Sequence, residues 1–264
     1  MAQSSWGAFQ PIASQVGSGN SIIASSQSRY GGAGKTHFWL TAPDPIAYFL
    51  FEPGGLKGLA SNPLFSSKDI RVLDLSTKLD WGRIEEAERV KRGLEVLNDF
   101  DEAWDVAKNM ARTIVIDKED ILWETRRYAH DEVKSPEPKN FHELNLEHRA
   151  LIVQAEALGL NLGFIRGMKE TWGVTGEKIV NGQKKKTQGF TGEFVPRGMK
   201  ELPELVQINL GHKWDNDERM FVVEILEKCR LGNAVDLIGT EHPMLEFPEL
   251  GALLYPDTDA SAWR

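Results

Sequence analysis

Residues 30–36 read Tyr-Gly-Gly-Ala-Gly-Lys-Thr, and no other stretch of the chain constrains its local fold so tightly. An apolar, β-prone stretch (Ile22, Ile23, Ala24) precedes the run, and a segment able to form a helix, His37 to Thr41, follows it. Strand, glycine-rich loop and helix in that order make a cradle for phosphate. Glycines let consecutive backbone N–H groups close around an anion, and the helix turns its positive end toward it. In the pattern G-x-x-x-x-G-K-[ST], the lysine reaches the β- and γ-phosphates and the hydroxyl ligates Mg²⁺. Here those are Lys35 and Thr36, while Arg29 stands where the first glycine of the pattern falls. Gly31, Gly32, Ala33, Gly34, Lys35, Thr36 and His37 are the expected nucleotide contacts.

Composition narrows the class. A chain of 264 residues can bury a substantial core, and one domain is the better expectation. Charged residues at 27% and hydrophobic ones at 41% fit an ordinary globular protein. No apolar run nears the roughly 20 residues that span a bilayer, and the first residues lack the regions of a signal peptide. A cytoplasmic protein without a membrane partner is expected. One cysteine, Cys229, rules out an internal disulfide. The six histidines show no zinc spacing, and His142 and His148 are expected at the surface. A net charge of −8 argues against a nucleic-acid-coated protein but leaves room for a local basic site.

Along the chain, residues 1–19 are rich in Ser, Gln and Gly and are expected to form a loosely held arm. A βα pattern begins at Ser21. Ile46 to Phe51 is a continuous apolar run, as in a buried parallel strand, and Asp69 to Leu75 alternates like another. Residues 80–108 read as helix with an apolar face of Ile84, Ala87, Val90, Leu94 and Leu97. Thr113 to Ile116 is a β-branched strand closing on Asp117. After Ser135-Pro136-Glu137-Pro138, helical periodicity resumes from Phe141 to Leu158, and Leu160 to Ile165 reads as strand. Residues 173–200 form a Gly- and Lys-rich excursion. Leu205 to Leu210 and Arg219 to Leu226 flank a polar turn and read as a hairpin. From Pro243 the chain reads as irregular. The expectation is an α/β fold: a mostly parallel central sheet flanked by helices, with a C-terminal antiparallel hairpin. One core, 20–242, lies between the arm and a tail, 243–264.

A phosphate loop needs a second oxygen ligand near its magnesium. Asp117 ends a strand at the carboxyl edge of the sheet, where open α/β folds bind ligands. A solvent-facing Asp at a strand end is the plainer alternative. Glu52 ends the strand directly after the loop and its helix, 17 residues beyond Lys35. Glu227-Lys228-Cys229-Arg230-Leu231-Gly232 follows the apolar strand Phe221 to Leu226. A strand-end glutamate and a solvated Lys-x-Arg are the plainer readings of those two.

Together with Arg112 to Asp117, Ile121 to Glu124 and Thr191 to Gly198, these elements resemble the phage-type RecA-fold ATPases. Some of those are core-only RecA-like P-loop NTPases that assist single-strand annealing and recombination. The resemblance runs from about Ser21 to Gly232. It implies an ATPase using ATP and Mg²⁺, with Glu52 activating the attacking water and Thr36 and Asp117 serving the metal. Lys228 and Arg230 would form a finger reaching a neighbouring subunit's γ-phosphate, in a ring or filament. A bacteriophage origin and a bacterial host cytoplasm are implied too, with other recombination or replication proteins as further partners. Three positions depart from the family pattern. Arg29 replaces a glycine and Lys118 replaces a small hydroxyl residue. Phe164-Ile165-Arg166-Gly167 also lacks the usual Gln or His sensor, for which Arg166 is the candidate substitute.

In RecA-like proteins, single strands bind two loops, which here fall at about 127–142 and 169–198. At the second, the stretch from Trp172 to Lys200 carries Lys178, Lys184, Lys185, Lys186, Arg197 and Lys200, against only Glu177 and Glu193. Those cations would neutralise phosphates, and Trp172 or Phe190 would stack on bases. A solvated lysine turn is the alternative. Two rival functions stay open: a DNA motor of helicase or packaging type, and a nucleotide-gated assembly protein with little hydrolysis.

Overall fold

The computed structural model describes residues 20–56, 61–79, 85–130, 141–180, 183–227 and 229–264. Among them, strand β1 (Ile23–Ser28) leads through the glycine loop into helix α1 (Lys35–Leu40). Strand β2 (Ile46–Leu50), the short helix α2 (Pro63–Ser66) and β3 (Ile70–Asp74) follow. The long helix α3 (Glu86–Met110) returns the chain to β4 (Thr113–Asp117), which runs into α4 (Glu119–Ala129). Helix α5 (Phe141–Leu158) precedes β5 (Asn161–Val180), which folds back as β6 (Gln183–Pro196). One helical turn, α6 (Leu202–Leu205), leads to β7 (Ile208–Asp215), β8 (Met220–Ile225) and β9 (Glu241–Pro243), and α7 (Phe247–Leu254) closes the order.

The strands lie in the order β3-β2-β4-β5-β1-β7-β8-β9, with β6 paired to β5. The pairs from β3 to β7 are parallel; β7–β8, β8–β9 and β5–β6 are antiparallel. This is the α/β architecture expected from the sequence. The apolar runs are continuous because both sheet faces are covered. Successive residues alternate between two cores: Tyr48, Val115 and Ile165 face the one holding Phe38, Trp39 and Phe247. Phe49, Ile116 and Phe164 face the one holding Phe100, Trp104 and Leu151. Gly163 belongs where β5 passes α1, since a Cβ there would sit 2.5 Å from the Trp39 indole.

Three expectations change. Helix α3 is rotated from its expected face: Leu94 is 48% exposed, while Val96, Leu97, Phe100, Trp104 and Ala107 are buried. The cause is Gly93, where a Cβ would lie 2.9 Å from the Ala129 backbone nitrogen, so α3 and α4 meet there and turn Leu94 outward. Ile84 lies outside the described residues, as does the Ala87 side chain.

The excursion at 173–200 is mostly a long hairpin, continuous with the strand expected to end at Ile165. Pairing runs from Met168↔Pro196 to Val180↔Gln183, with irregularities between Glu170 and Trp172 and between Val174 and Gly176. Each shifts the period-2 alternation and hides it in the sequence.

Residues 243–264, expected as an irregular tail, carry α7 and a 3-10 turn at Ala260–Trp263. Phe247, Leu250, Leu254 and Trp263 are buried in the core with Phe38 and Trp39. Pro248 starts α7 rather than breaking it, and Glu246 and Glu249 form a capping box. The expected arm, 1–19, lies outside the described residues. Among the described residues no helix is long and apolar enough to cross a membrane.

Candidate functional site

The loop between β1 and α1 carries positive φ at Gly32 (73°) and Gly34 (89°). Gly34 also meets Phe221 on β8, whose ring a Cβ would approach to 2.8 Å. At the end of β1 the Ser28 hydroxyl accepts from the Lys35 ammonium and donates to the Tyr30 carbonyl at 2.7 Å. Burial lowers the Lys35 pKa, and the like charge of Lys118 adds to it; Asp117, Glu52 and Asp120 act the other way. His37 packs edge-on to Phe65 and stacked with Phe221, centroids 5.1 and 6.0 Å away.

Parallel register places Leu50, Asp117 and Ile165 side by side, so the carboxyl ends of β2, β4 and β5 open together beside the loop. The resulting cleft, about 550 Å³, is lined by residues 28–37 with Glu52, Asp117, Lys118 and Arg197 among others. Asp117 is buried, and the Tyr48 hydroxyl donates to its Oδ2 at 2.6 Å. Burial raises the Asp117 pKa, against the Tyr48 hydrogen bond and the charges of Lys118 and Lys35. The Thr36 side chain also acts on the Tyr48 phenol, so one phenol neighbours both oxygen groups expected to serve a metal. Burial and the Asp117 charge hold Tyr48 protonated, as a donor.

These groups fit a hard cation that takes few protein ligands and leaves the rest to water and phosphate. Gly55 keeps the carboxylate uncovered, since a Cβ there would come within 3.3 Å of Asp117 Oδ2. Among the described residues no group of three or more His, Cys, Asp or Glu side chains is placed to hold a metal on its own.

Glu52 reaches the cleft with its side chain 48% exposed, and Lys118 Nζ pairs with its Oε2 at 2.9 Å. Arg29 also lines the cleft, and its guanidinium lies over the rings of Tyr30 and Phe194, at 5.0 and 4.0 Å. That tethers the loop to the base of the β5–β6 hairpin.

Arg166 does not take the sensor position. It is buried, with Nε donating to the Arg197 carbonyl at 2.9 Å and lying 3.0 Å from Glu119 Oε2, and Nη2 donating to the Met199 carbonyl at 2.7 Å. His148 is not at the surface either: it is fully buried, 3.1 Å from Glu119 Oε1 and 2.8 Å from Arg126 Nη1. His142 is exposed as expected. Sequence reasoning missed this charged cluster because its members are scattered along the chain. The usable signals were the acid two residues beyond Asp117 and the tyrosine in an otherwise apolar strand, since a buried phenol needs a partner.

On the hairpin, Lys184 and Lys186 are exposed, Lys184 lying 3.6 Å from Glu177. The side chains of Lys178 and Lys185 lie outside the described set. Trp172 and Phe190 are cross-strand partners, 62% and 64% exposed, with rings edge-to-face at 5.1 Å. Arg197 differs from the lysines: it lines the cleft rather than the hairpin tip. Of the expected first DNA loop, 131–140 lie outside the described residues, as does Lys228. Arg230 is exposed beyond β8, away from this chain's own cleft, and donates from Nη1 to the Leu205 carbonyl at 2.9 Å.

No protein-family model matches the chain, and no curated protein matches it. Among solved structures it is similar to one described as the crystal structure of the RadB recombinase. The sequence identity is 14% and the TM-score 0.44, over 84% of this chain and 86% of that one.

Proposed function

We propose that this chain is a RecA-like P-loop ATPase that binds MgATP in the cleft and acts on single-stranded DNA in recombination or annealing. The observation that carries the reading is the convergence of Lys35 and Thr36, at the start of α1, with Asp117 and Glu52, at the ends of β4 and β2, beside one glycine loop. Lys35 neutralises the β- and γ-phosphates. Magnesium, held by Thr36 and Asp117, would supply further neutralisation of phosphate charge. Glu52 orients the water that attacks the γ-phosphorus in line, and it must first release Lys118 to do so. The protein contributes position and electrostatics rather than covalent chemistry. Lys228 and Arg230 serve the site of an adjoining subunit. The hairpin offers exposed Trp172 and Phe190 to bases and its lysines to phosphates.

One observation favours a second reading. The Lys118–Glu52 ion pair occupies the group that hydrolysis needs. A nucleotide-gated assembly protein with little turnover would keep that pair when ATP binds.

The test is ATP turnover with Mg²⁺, with and without single-stranded DNA, in the parent, Lys35→Ala and Glu52→Gln. The expected result is turnover raised by DNA and abolished in both variants. ATP binding without turnover under either condition moves the conclusion to the second reading, and absence of ATP binding removes both.

A further inference from the structure

Arg197 has features that the DNA-contact assignment leaves unexplained. Its main chain is fixed on both sides: its N–H donates to the Gly167 carbonyl at 2.9 Å, and its own carbonyl accepts from Arg166. Gly198, at φ 81°, packs so close to the first turn of α4 that a Cβ would lie 2.9 Å from Asp120 Cα. Met199 is held from both ends, by Glu119 and by Arg166. A buried platform of Glu119, Arg166 and His148 thus fixes where the Arg197 side chain begins.

That side chain extends into the cleft. A single ideal Cβ on Gly167 would contact Arg197 Cδ at 3.5 Å, Asp120 Oδ2 at 3.4 Å and Lys118 Nζ at 3.8 Å. Lys118 in turn holds Glu52, so Arg197 stands at the Glu52–Asp117 end of the cleft, where the terminal phosphate would lie. The nearby Asp120 instead accepts the Gly167 N–H at 3.3 Å. Among the described residues the Arg197 guanidinium has no hydrogen-bond or ion-pair partner. A preplaced arginine without a counter-ion at the edge of an anion site suits a planar two-oxygen contact with phosphate.

We infer that Arg197 binds the terminal phosphate of a nucleoside triphosphate in its own chain's cleft, making the cleft distinguish triphosphate from diphosphate in cis. This rests on the nucleotide reading above. It places in one chain a cation role that Arg166 does not fill and that Lys228 and Arg230 would supply only across an interface.

The experiment is equilibrium binding of ADP and of a β,γ-imido ATP analogue, each with Mg²⁺, to the full chain, Arg197→Ala and Arg197→Lys. Loss of a charge-assisted contact should weaken the analogue by about tenfold in Arg197→Ala. ADP should stay within about twofold, and Arg197→Lys should recover part of the difference. Because Arg197 is exposed, both variants are expected to fold, which circular dichroism checks. Equal weakening of both nucleotides, or no change in either, overturns the inference while leaving the nucleotide site standing. If the unsubstituted chain binds neither nucleotide, the site itself fails and the inference goes with it.

Discussion

Lys118 and Glu52 form the ion pair on which the cleft's chemistry turns. With the lysine partly and the glutamate about half exposed, the pair is worth at most about 1 kcal/mol, so it can break during a catalytic cycle. Lys118→Met should therefore leave the melting temperature nearly unchanged. It should raise basal ATP turnover several-fold by freeing Glu52, and raise KM through loss of a cation near phosphate. Steady-state kinetics across ATP concentrations separates the two effects; a fall in kcat instead would mean that Lys118 acts on the phosphate itself. Lys35, Thr36, Asp117 and Glu52 were legible in the sequence because each sits at a fixed place relative to a strand end or the glycine loop. Tyr48, Glu119 and His148 were harder to read: a phenol in an apolar strand and an acid two residues past Asp117 mark the first two, but the role of all three comes from contacts across the fold. Arg197 was legible as a cation but not as a cleft residue, because the length of the hairpin decides where its base falls.

At the scale of elements, the β5–β6 hairpin and the C-terminal helix were the parts least readable in advance. The hairpin's glycines, lysines and register shifts disguise its alternation, and three prolines disguise the end of the chain. Each element carries a prediction. Trp172 and Phe190 contact each other and solvent, so Trp172→Ala with Phe190→Ala should preserve the fold and the DNA-independent ATP turnover. Binding of a labelled single-stranded oligonucleotide, read by fluorescence anisotropy, should weaken at least tenfold, since base–aromatic stacking is worth roughly 1–3 kcal/mol per base. Unchanged affinity would send the DNA elsewhere. Helix α7 behaves oppositely. Trp263 is buried over Gly251, where a Cβ would lie 2.3 Å from its ring, and it stacks on Tyr255. Trp263→Ala should cost about 3–5 kcal/mol in denaturant unfolding, because this stretch is core. A loss below 1 kcal/mol would make it the tail that its sequence suggested.

The whole molecule should register acid before its exposed carboxylates titrate, because two histidines are buried without charge. His148 faces Arg126 at Nδ1 and Glu119 at Nε2, with Arg166 and Trp123 beside it; burial and then the Arg126 charge push its pKa down to about 4. His212 faces the Ser26 hydroxyl at 3.0 Å, the Phe38 ring and the Lys35 charge, and burial pushes its pKa down to about 3. Both folded values lie below the unfolded value near 6.5, so the unfolded chain takes up these protons first. Their contribution is therefore complete above about pH 6.5 and declines as pH falls toward 4. Glu119, held down chiefly by Arg166 against its burial, loses stability in the same direction at lower pH. Asp117 and Asp120, raised by burial, oppose the decline because protonation relieves them. At about 1.4 kcal/mol per pKa unit, the two histidines together cost on the order of 5 kcal/mol by pH 4, a large part of a typical domain's stability. Urea midpoints measured from pH 7.5 to 4.5 should fall steadily below pH 6.5, and His212→Asn should remove about one proton from the slope. A midpoint flat to pH 5 would mean that water or a neighbouring acid shares these protons in the folded state. The charged platform linking the cleft to the hairpin would then be wetter than its packing implies, and its hold on Arg197 correspondingly looser.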